Sequence, residues 1–196
     1  ISATSITVNE GAKVSAVYGG GRDSTVEGNV AIIVSGTAGS IFGGGYAYAY
    51  TDDGAKTAVA DVIGDIQISV DGENAQFVSR LFGGGYAYTS SEDEVQQTLQ
   101  ANVEGNINMT INCPNVLDTA EIYGGGCAEL VTTSISKMTN RHLTANVTGD
   151  ITIKIAGDTK GASTGRPNRT WLNLWGGGHA DIPLSPRNNI TLLGTS

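Results

Sequence analysis

The sequence predicts an all-β fold, a parallel β-helix (solenoid) of about 4–5 coils with β-hairpin arms. Three observations lead to this prediction. A motif of one aliphatic residue, one aromatic residue and three glycines occurs five times. A second motif ends in alternating apolar and polar residues, as in a strand with one buried face. The copies of both motifs recur at spacings typical of stacked repeats. An antiparallel β-sandwich is the alternative fold.

The glycine triplets follow the aromatic residue of the first motif. The copies span residues 17–21, 41–45, 81–85, 122–126 and 174–178. Glycines in a strand-rich chain mark bends or points of close backbone approach. We therefore expect the triplets to turn corners where two backbones pass closely, and valine at Gly44 should destabilise the fold.

The second motif reads Val-x-Gly-Asn/Asp and continues into a strand. Its copies begin at Val26, Val62, Val103 and Val147. Glycine with Asn or Asp signals a turn, so the paired positions Asn29, Asp65, Asn106 and Asp150 are expected to make turn hydrogen bonds rather than to catalyse. If the repeats stack in register, one inward ladder is Val30, Ile66, Ile107 and Ile151. Residues 5–8 resemble the end of an earlier copy, and residues 189–192 resemble the start of a later one.

The spacing of the triplets indicates one basic unit with insertions. Their first glycines are 19, 43, 83, 124 and 176, so the steps are 24, 40, 41 and 52 residues. The extra residues of the longer steps read as strand, turn and strand, which predicts the hairpin arms. We expect one repeat domain spanning residues 1–196. Its coils lie near 1–25, 26–61, 62–102, 103–146 and 147–196.

The composition excludes several functional classes. The chain has 11 Lys and Arg against 19 Asp and Glu, a net charge of −8, and an acidic chain without a basic stripe argues against nucleic acid as a partner. No apolar run is long enough for a membrane helix. Two histidines make a dedicated metal site unexpected, and no cofactor is predicted. Whether Cys113 and Cys127 pair across one coil stays open.

The alternation of these two motifs resembles the glycine-rich β-helix repeats of large bacterial cell-surface proteins, which are described as adhesin-like. The resemblance extends over nearly the whole chain. It implies secretion to the cell surface or the extracellular space, a stalk or display module, and no enzymatic role. The long insertions depart from the simplest form of the pattern.

Five tyrosines are the candidate ligand-binding residues. Alternation along the first arm places three of them on one face, and stacking of a second arm would extend that face with two more. The five are Tyr46, Tyr48, Tyr50, Tyr86 and Tyr88. Aromatic surfaces with hydroxyl rims suit sugar rings or a partner protein. The alternative is that these rings only pack across strands within the arms.

Three functions remain open at this point. The first is a non-catalytic surface module, adhesin-like or structural, with carbohydrate or a host surface protein as its partner. The second is a carbohydrate-active β-helix enzyme, a polysaccharide lyase or a glycosidase, whose sign would be a groove holding two carboxylates and a base. The third is a carbohydrate-binding module that uses the tyrosine face. Acidic residues at the two predicted arm tips are expected to be solvated charges, and no catalytic residue is assigned. These are Asp52, Asp53, Glu92, Asp93 and Glu94.

Overall fold

The structure is a computed structural model of the 196-residue chain. It describes residues 2–50, 54–90, 96–113, 116–117, 120–131, 141–156, 161–162, 173–181 and 190–193. These residues form strands and turns, with no helix among them.

The strands are grouped by the five repeats of the sequence. The first repeat contains β1 (Thr4–Val8) and β2 (Lys13–Tyr18). The second contains β3 (Val30–Val34), β4 (Thr37–Phe42), β5 (Tyr46–Ala49) and β6 (Lys56–Val59). The third contains β7 (Ile66–Asp71), β8 (Gln76–Phe77), β9 (Arg80–Phe82), β10 (Tyr86–Thr89) and β11 (Gln97–Gln100). The fourth contains β12 (Ile107–Asn112), β13 (Val116–Leu117), β14 (Glu121–Tyr123), β15 (Cys127–Leu130) and β16 (Arg141–Thr144). The fifth contains β17 (Ile151–Ile155), β18 (Gly161–Ala162), β19 (Asn173–Trp175), β20 (His179–Asp181) and β21 (Ile190–Leu193).

Four parallel sheets each take one strand from successive repeats. The first sheet has the order β1-β3-β7-β12-β17, and the second has β2-β4-β9-β14-β19 with β8 beside β4. The third sheet is β20-β15-β10-β5, and the fourth is β21-β16-β11-β6. A short pair joins β13 and β18. All strand pairs among the described residues are parallel, which confirms an all-β fold with parallel sheets and excludes the antiparallel sandwich for this part of the chain.

The prediction of β-hairpin arms is wrong for the described residues. The two strands of the second-repeat arm, β5 and β6, belong to the third and fourth sheets and do not pair with each other. Each pairs instead with its counterpart one repeat later, β10 or β11. The prediction for residues 189–192 also needs correction. The strand β21 pairs with β16 in the fourth sheet, so it precedes the position of the second motif instead of starting a new copy.

The main core lies on the inner face of the first two sheets. Ile66 pairs in register with Val30 on one side and Ile107 on the other, and Ile107 pairs with Ile151, as predicted. The side chains of Ile66 and Ile107 are fully buried. Each fully buried aliphatic side chain contributes about 1.5–3 kcal/mol before the entropic cost is charged. Equivalent positions of neighbouring repeats therefore stabilise one another directly.

The glycine triplets lie between the second and third sheets and stack directly on one another. Gly43 N donates to Phe82 O at 2.9 Å, and Gly44 N donates to Gly84 O at 2.9 Å. A Cβ added at Gly44 would lie 2.6 Å from Gly85 N and 2.7 Å from Gly85 Cα. The predicted close approach of two backbones at the triplets is confirmed, and its cause is the hydrogen bonding of each triplet to the next.

The Asn and Asp residues of the second motif form a ladder across the amino-terminal ends of the strands of the first sheet. Asn29 Oδ1 accepts Asp65 N at 3.0 Å, Asp65 Oδ1 accepts Asn106 N at 2.8 Å, and Asn106 Oδ1 accepts Asp150 N at 2.9 Å. These side chains accept hydrogen bonds, but the prediction of turn hydrogen bonds needs correction, because the bonds link successive repeats instead of closing a turn within one. Asn and Asp alternate here because a single side-chain oxygen acceptor is sufficient.

Candidate functional site

The five candidate tyrosines lie together on the outer face of the third sheet and the loop that follows it. Tyr46 pairs in register with Tyr86, and Tyr48 pairs with Tyr88. The alternate positions of these strands, such as Ala47 and Ala87, point inward and are fully buried. The rings of Tyr46 and Tyr86 stack with centroids 5.2 Å apart, and the rings of Tyr50 and Tyr88 make an edge contact with centroids 6.5 Å apart. The predicted common face is therefore present, whereas its role in ligand binding stays a prediction.

A second aromatic row faces these tyrosines and was not anticipated from the sequence. It consists of the aromatic residues that precede the triplets, which pair in register at the ends of the second-sheet strands. Centroids of neighbouring rings are 5.0, 5.2, 4.6 and 4.5 Å apart, and the planes of the stacked rings are nearly parallel. The row comprises Tyr18, Phe42, Phe82, Tyr123 and Trp175. This row could have been predicted from the sequence, because every copy of the first motif has an aromatic residue at the same position.

The two rows pack against each other across the glycine corner. Tyr18 stacks on Tyr46 at 4.9 Å, and Phe42 stacks on Tyr86 at 4.6 Å. Phe42 is only 6% exposed and Phe82 is fully buried, although both side chains point away from the main core. In offset stacking, each ring covers the face of its neighbour. The middle of this aromatic surface therefore presents ring edges and hydroxyl groups instead of open ring faces.

Tyr48 is held by charged residues of the first repeat and of β6. The guanidinium carbon of Arg22 and the ammonium nitrogen of Lys56 each lie 4.1 Å from the centroid of the Tyr48 ring. Asp23 Oδ2 forms an ion pair with Lys56 Nζ at 3.1 Å, and Asp23 Oδ1 accepts Tyr48 N at 3.2 Å. Asp23 also adopts a positive φ of 49°. Cation–π contacts of this kind stabilise the ring, so Tyr48 has a structural task.

A cleft of about 220 Å³ opens where the second and third sheets meet. Its walls combine the aromatic rows with small and polar residues, among them Ser40, Ser79, Arg80, Tyr86, Cys127 and Glu129. Arg80 Nε lies 3.4 Å from Glu121 Oε2, and Arg80 Nη1 lies 3.9 Å from Glu129 Oε2. The hydroxyl of Tyr86 donates to Glu129 Oε2 at 2.6 Å. The hydroxyl of Tyr123 donates to Glu121 Oε2 at 3.1 Å.

The hydroxyl groups of Tyr86, Tyr123 and Tyr46 have raised pKa values. Burial raises the pKa of Tyr86, and its hydrogen bond to Glu129 raises it further. Burial likewise raises the pKa of Tyr123 to about 12, assisted by the hydrogen bond to Glu121. The pKa of Tyr46 is raised by burial and then by its hydrogen bond with Tyr50. Each of these groups is a neutral hydrogen-bonding hydroxyl at neutral pH.

The sequence also singled out the acidic residues of the predicted arm tips and the two cysteines. The acidic residues Asp52, Asp53, Glu92, Asp93 and Glu94 lie outside the described residues. No disulfide joins Cys113 and Cys127, which are both buried. In the third sheet, Cys127 instead pairs in register with Tyr86 on one side and His179 on the other. Within the described ranges, no three His, Cys, Asp or Glu residues are arranged to hold a metal ion.

Comparison of the chain with protein-family models, with curated proteins and with solved structures gives no match. In the part of the chain that the structure describes, no helix is long and apolar enough to cross a membrane.

Proposed function

We propose that this chain is a non-catalytic β-solenoid module of a bacterial cell-surface protein, adhesin-like in role, that binds carbohydrate on its outer aromatic surface. The solenoid is supported by the constant register of equivalent residues across all five repeats of the first sheet. Bridges also link the valines that open the second motif, Val26, Val62, Val103 and Val147. An extended stack of this kind suits a stalk that displays a binding surface away from the cell.

The observation that carries the binding proposal is the polar rim of the aromatic cleft. Sugars offer hydroxyl groups on a mostly apolar ring, and their sites pair aromatic surface with side chains that donate and accept hydrogen bonds. Arg80 and Glu129 line the cleft and supply donors and acceptors, and Glu121 contacts Arg80 next to it. Tyr50, which is 48% exposed, and the half-buried Tyr88 extend the surface beyond the cleft. A partner protein would use the same groups, so the assay must separate the two.

A glycan array followed by titration tests the binding proposal. The double variant Tyr50→Ala/Tyr88→Ala removes two rings at the margin of the surface and leaves the cation-bound Tyr48 in place. We expect the wild type to bind defined glycans and the double variant to lose that binding while still folding. The matched variant Tyr50→Phe/Tyr88→Phe keeps both rings and separates ring contact from hydroxyl bonding. Glycan binding unchanged by the alanine pair would reject the tyrosine surface as the site, and binding of host proteins alone would reject carbohydrate.

A second candidate is a carbohydrate-active enzyme, because two carboxylates meet at Arg80, a residue that lines the cleft. Glu121 and Glu129 both contact Arg80, and each accepts a tyrosine hydroxyl. Acid and base roles in glycoside cleavage are commonly divided between two carboxylates. Against this candidate, both carboxylates are already engaged by Arg80 and tyrosine in a closed network. Release of reducing ends or unsaturated products from a polysaccharide panel, abolished in Glu129→Gln, would favour the enzyme over the binding module.

A further inference from the structure

The fifth repeat exposes apolar side chains at positions that an inner repeat buries. In the fifth repeat, Leu174 is 48% exposed and Trp175 is 40% exposed. Their counterparts in the third repeat, Leu81 and Phe82, are fully buried in the same register. Among the described residues, β19 is the last strand of the second sheet, so no further repeat lies over these side chains.

Gly176 marks the same end of the stack. A Cβ placed on Gly43, Gly83 or Gly124 would overlap the carbonyl oxygen of the next triplet, at Gly83, Gly124 and Gly176 respectively. A Cβ placed on Gly176 meets no atom within 4 Å, and the residue has no positive φ that would favour glycine. Nothing within the described chain requires glycine there, whereas a further triplet stacked on it would.

The hydrogen-bonding groups of the two ends are complementary. Each triplet donates the N–H groups of its first two glycines to the following repeat, as in Gly19 N to Phe42 O and Gly20 N to Gly44 O, both at 2.9 Å. In the fifth repeat the corresponding donors are Gly176 N and Gly177 N. In the first repeat the corresponding acceptors are Tyr18 O and Gly20 O, at the opposite edge of the second sheet. An edge with unpaired backbone groups is a template for a further strand.

From these three features we propose that the fifth repeat docks onto the first repeat of a second copy of this chain. The contact would continue the first two sheets with β17 beside β1 and β19 beside β2 of the next copy. It would place Trp175 on Tyr18 and Leu174 on Val17, in the register seen inside the chain. The first repeat is the fitting occupant because it presents a triplet, two outward acceptors and an aromatic residue in that spacing. Such a head-to-tail contact does not close on itself, so it produces a growing fibre.

Sedimentation velocity over a concentration series, with electron microscopy of the most concentrated sample, tests the proposal. We expect residues 1–196 to form species of increasing size and then fibres. Gly176→Val should fold with unchanged circular dichroism and stay monomeric, because its side chain has open space in one chain and would clash with the next. The control Asn108→Val changes an exposed side chain of the central strand β12 and should assemble like the wild type.

Three results would overturn the proposal: a wild type that is monomeric throughout the series, a species that stops at a dimer, or Gly176→Val fibres like those of the wild type. A dimer would indicate that two fifth repeats meet face to face. If Gly176→Val does not fold, Leu174→Lys charges the same exposed face and must abolish assembly. The inference rests on the stacked repeats and not on sugar binding, so a monomer that binds glycans would refute docking and leave the proposed function in place.

Discussion

Valine at Gly43 is the sharpest test of the glycine stacking. The added Cβ would overlap the carbonyl oxygen of Gly83, and it would lie 2.8 Å from Ile66 Cγ2 and 3.0 Å from the carbonyl carbon of Gly83. Ile66 is fully buried and cannot move aside without displacing its own neighbours in the core. The backbone of the third repeat cannot retreat without breaking the 2.9 Å bond from Gly43 N to Phe82 O. The substitution must therefore separate the second and third repeats locally.

The expected cost follows from two contributions. Overpacking of a well-packed site costs about 1–3 kcal/mol. Loss of the two bonds that Gly43 N and Gly44 N donate to the next triplet costs about 0.5–1.5 kcal/mol each. The free energy of unfolding should therefore fall by about 2–6 kcal/mol. For a chain of this size, 1 kcal/mol lowers the melting temperature by about 2–4 °C, so a decrease on the order of 10 °C is expected.

Thermal unfolding followed by circular dichroism and calorimetry provides the measurement. Gly43→Val and Gly44→Val should both melt well below the wild type. Gly176→Val is the matched control, because it makes the same change at the first glycine of a triplet on which no other triplet stacks among the described residues. The control should stay within about 0.5 kcal/mol of the wild type when all are compared as monomers. Equal melting temperatures for Gly43→Val and Gly176→Val would refute the view that triplet stacking requires glycine.

Three further predictions concern single side chains. Asp65→Ala should lower stability by about 1 kcal/mol, because it leaves Asn106 N without its acceptor, whereas Asp65→Asn keeps an oxygen and should be nearly neutral in chemical denaturation. The raised pKa of Tyr123 means that its share of stability is present below about pH 10 and is lost as the pH rises towards about 12. Tyr123→Phe should flatten that alkaline decline, and an unchanged decline would contradict the assignment. Burial raises the pKa of Cys113 to about 12, so its thiol should resist alkylation until the chain is unfolded; rapid labelling of the native protein, located by mass spectrometry, would contradict this.

The first sheet was predictable because its signal is local and repeated. A two-residue alternation fixes the inward face of each strand, and the Gly-Asn or Gly-Asp pair fixes where each strand begins. The same pattern in Ile66 and Ile107 therefore implied the same register. The glycine corner was predictable for a similar reason, since three consecutive residues without Cβ atoms indicate a place where two backbones approach closely.

The pairing of the inserted strands was not predictable from local signals. Residues 46–50 and 56–60 lie on either side of a turn-forming segment, which favours a hairpin when only nearby partners are considered. In the structure, β5 finds its partner β10 about one repeat away along the chain, where Tyr46 meets Tyr86 and Tyr48 meets Tyr88. A strand does not encode in its own sequence which of two available edges it will join. The pairing follows from the stacking of the repeats, because each strand lies beside the equivalent strand of the next repeat.

The same stacking limits where a ligand can contact aromatic rings. Neighbouring rings of the row before the triplets are 4.5–5.2 Å apart, which leaves no gap into which a sugar ring could enter. The rings at the ends of the surface are different, since Tyr50 and Trp175 keep 48% and 40% of their surfaces exposed. If repeats of two copies dock, Trp175 is covered by the next Tyr18, and Tyr50 with the adjoining Tyr88 is then the aromatic surface left for a glycan. Glycan binding should therefore be lost in Tyr50→Ala/Tyr88→Ala and retained in Trp175→Ala, and the opposite pattern would place the ligand at the end of the stack.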